Sequence, residues 1–343
     1  MSSVRTDPHD PGWEEAAALA APIADAAATP IRIDGGEVRA GTASWTDPTM
    51  TAAGVFYPRD ANSAEERLRF YAGKFSVVEV DATYYALPQK QMSQRWAERT
   101  PDHFVFDIKA YALMTGQPSE TRRLPKSIRE ALPQELAGKS RIYAKDLPAE
   151  LKDEVWSAFH HGIEPLAGAG KLGAVFLQFP RWVFPSNEAR QHILEARERL
   201  RGYPIAVEFR HASWWNEKNA ERTMGFLSDN QIPYVMVDEP QGFKSSVPPV
   251  VAVTSPELAV VRFHGRNMET WEKPNISPAE RFRYLYDEDE LADWVPRVAA
   301  AARETKSTHA LMNNCYSNYG TTNASQIAAM LRELEQRRRG SGP

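Results

Sequence analysis

Five carboxylates, three cations and one imidazole sit at or near the ends of short apolar runs in this chain: Glu79, Asp81, Asp107, Glu208 and Asp238 against Lys109, Arg210 and Arg262, with His264. His264 and Glu208 form the strongest acid–base pair, with Glu79 next. An imidazole titrates near neutrality, and a carboxylate beside it can orient or exchange its proton. Lys109 can polarise a substrate oxygen or, once desolvated, form a Schiff base. Arg210, Arg262 and Arg266 offer forks that match phosphate or carboxylate oxygens. Gly265, inside His264-Gly265-Arg266-Asn267, lets the backbone approach a ligand closely. Gln178, Asp238, Asn267 and Asn313 or Asn314 are candidates to orient polar groups. Trp45, Tyr84, Tyr85, Trp182, Trp214 and Trp271 supply flat faces suited to a sugar ring or nucleobase.

Each group also has a purely structural reading. The charges can form a ring of mutual salt bridges, with Arg210 and Arg262 neutralising Glu208 and Asp238, and Lys109 pairing with Glu79. Arg266, without an assigned partner, leans toward ligand binding. The aromatics can be a collar sealing loops onto the core, the reading preferred for Trp215 and Tyr85. Glu79, Glu208, Asp238 and His264 could compose a carboxylate-rich site for Mn²⁺, Mg²⁺ or Zn²⁺. Three or four cations in the same region, and a single histidine, weigh against it, so no metal and no cofactor is assigned. Gly168-Ala169-Gly170-Lys171-Leu172-Gly173 fits G-x-G-x-x-G, but precedes a strand instead of following one. Cys315 has no assigned base and is read as an unremarkable small residue.

The elements that must position these groups are eight apolar runs: Val38–Ser44, Val77–Asp81, Phe104–Lys109, Ala174–Phe179, Ile205–Arg210, Tyr234–Asp238, Ala259–His264 and Ala310–Asn314. Amphipathic stretches separate most of them. Eight strands alternating with helices predict an α/β fold, a (β/α)₈ TIM-type barrel whose strand C-termini build the site. Strand period two sends Val207 and Phe209 outward, hence Glu208 and Arg210 inward; Val261 and Phe263 do the same for Arg262 and His264. Glu79, Asp81, Asp107, Lys109, Gln178 and Asp238 are placed inward as well, while the first and eighth runs stay undecided. Ser63-Ala64-Glu65-Glu66 is a capping box opening a helix with Leu68, Tyr71 and Phe75 on one side. Ser186 or Asn187 caps a helix carrying Ile193 and Leu200. An insertion after the third strand, residues 111–173, is far longer than a usual connection and is expected to cap the mouth. Gly242–Pro256 shows no helical period, so one crossover helix is expected to be missing or very short.

The chain has 343 residues, with 41 basic against 45 acidic and a formal charge of −4, which gives no global pull toward nucleic acid or acidic lipid. Residues 1–35 read as a mobile Ala-rich arm and 36–338 as a single barrel domain. No apolar stretch approaches the roughly 20 residues of a membrane span. The lone Cys315 and the lack of a basic-then-apolar leader predict a cytoplasmic protein.

These segments together resemble the YecE-like family, domain of unknown function 72. The resemblance rests on Gly41-Thr42-Ala43-Ser44-Trp45, Phe56-Tyr57-Pro58, Thr83-Tyr84-Tyr85, Gln178-Phe179-Pro180, Val207-Glu208-Phe209-Arg210, Val237-Asp238-Glu239-Pro240, Arg262-Phe263-His264-Gly265-Arg266-Asn267 and Asn313-Asn314, in one order over residues 38–330. It implies a triose-phosphate-isomerase-type barrel and no established activity. Family members often carry Thr-His after the third strand, where this chain has Thr115-Gly116. The function expected from the residues is a hydrolase, lyase or isomerase acting on a small anionic molecule, such as a phosphorylated sugar or nucleotide-like compound. Two alternatives stand beside it: a non-catalytic nucleotide or nucleic-acid binder using Arg122, Arg123 and Lys126 of the insertion, and a metal-dependent hydrolase or isomerase.

Overall fold

The computed structural model describes residues 7–52 and 54–340. Eight parallel strands carry the fold: β1 (Gly36–Thr42), β2 (Val77–Val80), β3 (Val105–Lys109), β4 (Leu172–Gln178), β5 (Ile205–Glu208), β6 (Val235–Asp238), β7 (Leu258–Phe263) and β8 (Ser307–Met312). They are hydrogen-bonded in the order β5-β4-β3-β2-β1-β8-β7-β6. A single parallel bridge, Val207 to Tyr234, joins β5 to β6 and closes the cylinder. Strands covered on both faces tolerate continuous Val, Ile and Phe, and the four residues of β2, β5 and β6 are all buried. The architecture is a TIM-type barrel.

Local chemistry places the outer helices. Ser63 caps Ala64–Ala72 by accepting from the Glu66 backbone, while Glu66 reaches back to Ser63. Asp287 and Glu290 repeat this reciprocal cap at Glu288–Glu304. Ser186 caps Asn187–Arg199, whose Ile193 is buried on the barrel side together with Leu200. Residues 239–257, between β6 and β7, hold no helix.

Two segments differ from their sequence reading. The stretch 111–173 divides: Ala149–Gly168 is the ordinary crossover helix, packed beside Lys90–Glu98. Only residues 111–148 form the added cap, with short helices and a two-stranded ribbon, Ser119–Glu120 with Arg141–Ile142. The described part of the N-terminal arm is docked. Its helix Trp13–Ala20 buries Ala16 and packs on the final helix Tyr319–Gly340, and Ile31–Ile33 adds an antiparallel strand to β1.

Inside the barrel the side chains lie in layers. Lowest is a buried pair, His309 Nδ1 to Asp107 Oδ2 at 2.8 Å. Gly173 on β4 faces it; a Cβ there would lie 2.9 Å from the His309 ring, so a side chain is excluded. Above it, Arg262 of β7 crosses the interior. Its Nε and Nη2 donate to the two oxygens of Glu79 on β2, both at 2.8 Å, and its Nη1 donates to Glu208 Oε2 on β5. Arg262 is 1% exposed and both carboxylates 0%. Burial pushes the Glu79 carboxyl up, although Arg262 opposes this. Burial also acts on Glu208, but Arg262, with His264 and Arg210, outweighs it and holds Glu208 well below the usual carboxylate range.

Removing one partner of a buried ion network strands the others without solvent. Arg262→Met should therefore lower unfolding stability by roughly 3–5 kcal/mol in urea titrations at pH 7. A triple variant that also carries Glu79→Gln and Glu208→Gln should regain most of the loss. If Arg262→Met alone were as stable as the parent, this ion network would not be what holds the barrel interior.

Candidate functional site at the barrel mouth

Two residues beyond the Glu79–Arg262–Glu208 layer, the same inward faces present a second set: Asp81, Lys109, Arg210, Glu239, His264 and Asn313. The set falls into two groups. In the first, Arg210 Nη1 lies 3.2 Å from Glu208 Oε1, 3.2 Å from Glu239 Oε2 and 3.0 Å from His264 Nε2. Asn313 Nδ2 meets His264 Nδ1 at 2.8 Å. Glu239 Oε1 accepts the Val247 backbone N–H at 2.6 Å. Gln178 donates to Glu208 Oε1 at 2.7 Å. In the second group Lys109 Nζ donates to Asp81 Oδ1 at 2.8 Å and sits 5.3 Å above the Tyr84 ring.

Electrostatics separates these groups by role. His264 is pushed down to about 3 by burial and by Arg210, so its imidazole is neutral at physiological pH. It is an orienting element here, not a base poised near neutrality. Burial pushes Glu239 up to about 7 against the opposing pull of Arg210. Two carboxyl groups contacting one guanidinium nitrogen thus hold their protons very differently, Glu208 loosely and Glu239 tightly. Environments that split a pair in this way assign acid and base roles.

A cavity of 390 Å³ opens above the first group. Arg210, Gln178 and Gln117 lie on its inner side, Trp182 and Trp271 flank it, and Arg181, Lys273 and Arg281 supply positive charge, with Glu272 the one acid in the lining. Arg210 stacks 5.1 Å from the Trp271 ring. Arg281 donates to the backbone carbonyls of Thr270, Trp271 and Lys273 and has no carboxylate partner among the described residues. Trp182 is half exposed. Gln117, from the cap, ties the two groups together: its Oε1 accepts from the Tyr84 hydroxyl at 2.6 Å and its Nε2 donates to the Gln178 carbonyl at 3.1 Å.

The structure gathers Glu79, Lys109, Gln178, Glu208, Arg210, Arg262, His264, Asn313 and Tyr84 in or around this mouth, but corrects several others. Asp238 does not point inward. It pairs in register with Phe263, whose ring packs on Tyr286 and Trp294, and so faces the helix layer. There it accepts from Arg266 at 2.9 and 2.7 Å, from the Tyr286 hydroxyl and from the Trp294 indole. Arg266, which also reaches Glu290, is therefore paired outside the lumen and is no anion clamp. Arg262 is likewise saturated by carboxylates. Asn267 accepts from the Glu269 and Thr270 backbones, bracing its loop. Asn314 turns outward to Tyr284 and Asn323. Trp214 is fully buried, stacked on Phe209, and Trp45 is buried against Trp96 and Phe106. Lys109 pairs with Asp81, not Glu79.

The carboxylate-rich metal set does not converge. The Arg262 guanidinium occupies the space between Glu79 and Glu208, and Asp238 lies on the far side of its strand. Among the described residues only His9, Asp287 and Glu290 bring three ligand atoms together. Glu290 there already accepts from Arg266 and the Tyr284 hydroxyl. Glu239, Arg181 and Arg281 were not among the site residues expected from the sequence. Glu239 had a signal: it shares strand parity with Val237, which pairs with the inward Arg262. Arg181 and Arg281 lie in loops, where strand parity carries no information.

Comparison with known proteins agrees with this architecture. Over 280 residues the chain is 28% identical to the UPF0759 protein YunF of Bacillus subtilis, covering 81% of this chain and 90% of that protein. It is 30% identical over 153 residues to the UPF0759 protein YecE of Escherichia coli, covering 44% of this chain and 52% of that one. Crystal structures of DUF72 family proteins from Thermotoga maritima (29% identity, TM-score 0.66, 86% of this chain and 98% of that chain) and Enterococcus faecalis (25% identity, TM-score 0.65, 88% and 98%) are similar in fold. The family model described as protein of unknown function DUF72 matches residues 39–342. The chain belongs to the DUF72 family.

Proposed function

We propose that the barrel mouth binds a small anionic, ring-bearing molecule, a phosphorylated sugar or nucleotide-like compound, and acts on it as an enzyme through proton transfer. The observation that carries this reading is Arg210. It is the most exposed of the inner-layer cations, its side chain 20% exposed against 12% for Lys109 and 1% for Arg262, and it lines a cavity whose other cations, Arg181, Lys273 and Arg281, have no carboxylate partner among the described residues. A charge-assisted Arg fork suits phosphate or carboxylate oxygens, and half-exposed Trp182 offers a face for a ring. Glu239, beneath Arg210, would hold or release the proton; Glu208 would stay ionised; His264 and Asn313 would fix Arg210 in place. Hydrolysis, elimination and isomerisation can all use such a proton-exchanging carboxyl. The cap supports the reading by bringing Gln117 over the mouth.

A thermal-shift screen of phosphosugars, nucleotides and organic acids, followed by turnover assays on the compounds that bind, tests the proposal. Arg210→Ala should weaken a bound compound by about tenfold or more, the size expected for a hydrogen bond to a charged group. Glu239→Gln should reduce turnover by roughly 10²-fold while binding persists. If no anion of these classes stabilises the protein, or Arg210→Ala binds as the parent does, the reading fails.

The pH dependence has a definite sign. The Glu239 carboxyl keeps its proton to about 7 in the folded chain, against about 4.3 when unfolded. The folded state therefore binds more protons between those values, and stability from this group falls as pH rises through the window. Once ionised, Glu239 also competes with a bound anion for Arg210. Sulfate, which does not titrate here, should bind the parent more weakly at pH 8 than at pH 6, and Glu239→Gln should flatten that limb. An identical limb in the variant would assign the titration to another group.

A further inference from the structure

The mouth cavity is not the only basic concavity. A second, of 790 Å³, lies in the cap, lined by Arg122, Arg129, Lys139 and Arg141 with Thr121 and Ser140 among its polar walls. The cap, residues 111–148, holds seven Lys and Arg against four Asp and Glu, in a chain whose net charge is −4. Glu120 is the one acid in the cavity lining, and it is shared by Arg122 at 2.8 Å and Arg123 at 3.1 Å. Arg129, Lys139 and Arg141 have no carboxylate partner among the described residues. Like charges crowded in this way repel one another and gain most from a polyanion.

The two concavities are neighbours. Gln117 lines the mouth and Glu120 lines the cap cavity, and three residues of extended chain span at most about 11 Å. Aromatic rings mark the ground between them. Arg123 lies 5.6 Å over the Tyr85 ring, which is 45% exposed, and Tyr85 meets Tyr84 edge to face at 4.9 Å. Tyr84 in turn bonds Gln117 at the mouth, and Arg141 is close enough to act electrostatically on the Tyr84 hydroxyl. The lining of the mouth also holds exposed Trp182 beside Arg181.

Basic residues that track a backbone, interleaved with exposed rings, are the means by which proteins hold single-stranded nucleic acid without reading its sequence. We infer that the ligand of this barrel is the phosphorylated end of a single nucleic-acid strand. Its terminal phosphate sits at Arg210 in the mouth, a base stacks at Tyr85 or Trp182, and the following phosphates lie in the cap cavity on Arg129, Lys139 and Arg141. This rests on the anion site proposed above and names its substrate class. An acidic peptide would supply the charge but no stacking partner for the rings, and a free sugar phosphate would leave the cap cavity unused.

The test is fluorescence anisotropy of a labelled single-stranded oligonucleotide carrying a 5′-phosphate or a 3′-phosphate, at several salt concentrations. Binding should weaken steeply with salt. The double variant Arg129→Glu, Arg141→Glu, both exposed positions, should lose roughly tenfold or more in affinity and show a shallower salt slope, with an unchanged thermal melt. Tyr85→Ala should weaken binding without changing the slope. Arg210→Ala should abolish the preference for a phosphorylated end over a hydroxyl end, yet retain salt-dependent binding through the cap. If Arg210→Ala lost sulfate binding while the oligonucleotide never bound the parent, the mouth reading would stand and the strand reading would fall. Equal affinity for duplex, an effective free nucleoside triphosphate competitor at equimolar phosphate, or indifference to the cap reversal would each overturn it.

Discussion

Arg262 is the constraint from which the rest of the interior follows. It rises from β7 yet satisfies carboxylates on β2 and β5, so one guanidinium spans the lumen and ties non-adjacent strands. This fills the barrel with a polar network where other barrels of this type stack branched apolar side chains. Such a network is not expected to be more stabilising than a packed apolar core. What it does provide is a fixed orientation for Glu208. With Oε2 taken by Arg262, only Oε1 faces upward, where it meets Gln178, Arg210 and His264. The geometry of the mouth is thus inherited from the layer below.

The strands and their order along the chain were legible because buried parallel strands read as uninterrupted apolar runs. Orientation was legible only where a run alternated. Glu208 and Arg262 sit between Val and Phe neighbours that must face the helices, and both point inward as expected. The run Tyr234–Asp238 is apolar at every position but its last, so nothing in it distinguishes inside from outside. Asp238 consequently went to the helix layer, and Glu239, one residue further on, took the place at the mouth. The same ambiguity left Asn313 and Asn314 unresolved; β8 puts His309 and Asn313 inward and Asn314 outward.

Loop residues were legible as types but not as positions. Arg266 looked unpaired because its partners, Asp238 and Glu290, are 28 and 24 residues away and are met only through the fold. Conversely, Arg281 and Lys273 reach the mouth from a connection with no periodicity to orient them. The cap is similar: its basic character is plain from composition, but its contact with the rim through Gln117 depends on how residues 111–117 leave β3.

The charge balance of the two inner layers has a consequence of its own. Lys109 and Asp81 neutralise each other, which leaves Arg262 and Arg210 facing three buried carboxyl groups, Glu79, Glu208 and Glu239, with His264 held neutral. Two positive charges cannot neutralise three negative ones in a poorly solvated interior, which pushes the trio toward keeping a proton. Burial raises both Glu79 and Glu239, while Glu208, gripped by both arginines, stays ionised. Proton retention is thus favoured at Glu79 and Glu239, and of these two Glu239 is the one that contacts the partly exposed Arg210. An arriving anion would draw Arg210 upward and leave Glu239 without its cation, favouring the protonated form still more. On the proposed function, anion capture and proton retention would be coupled through a single guanidinium, and Arg181, Lys273 and Arg281 at the rim, without carboxylate partners among the described residues, would supply the positive charge that lets a second negative group approach.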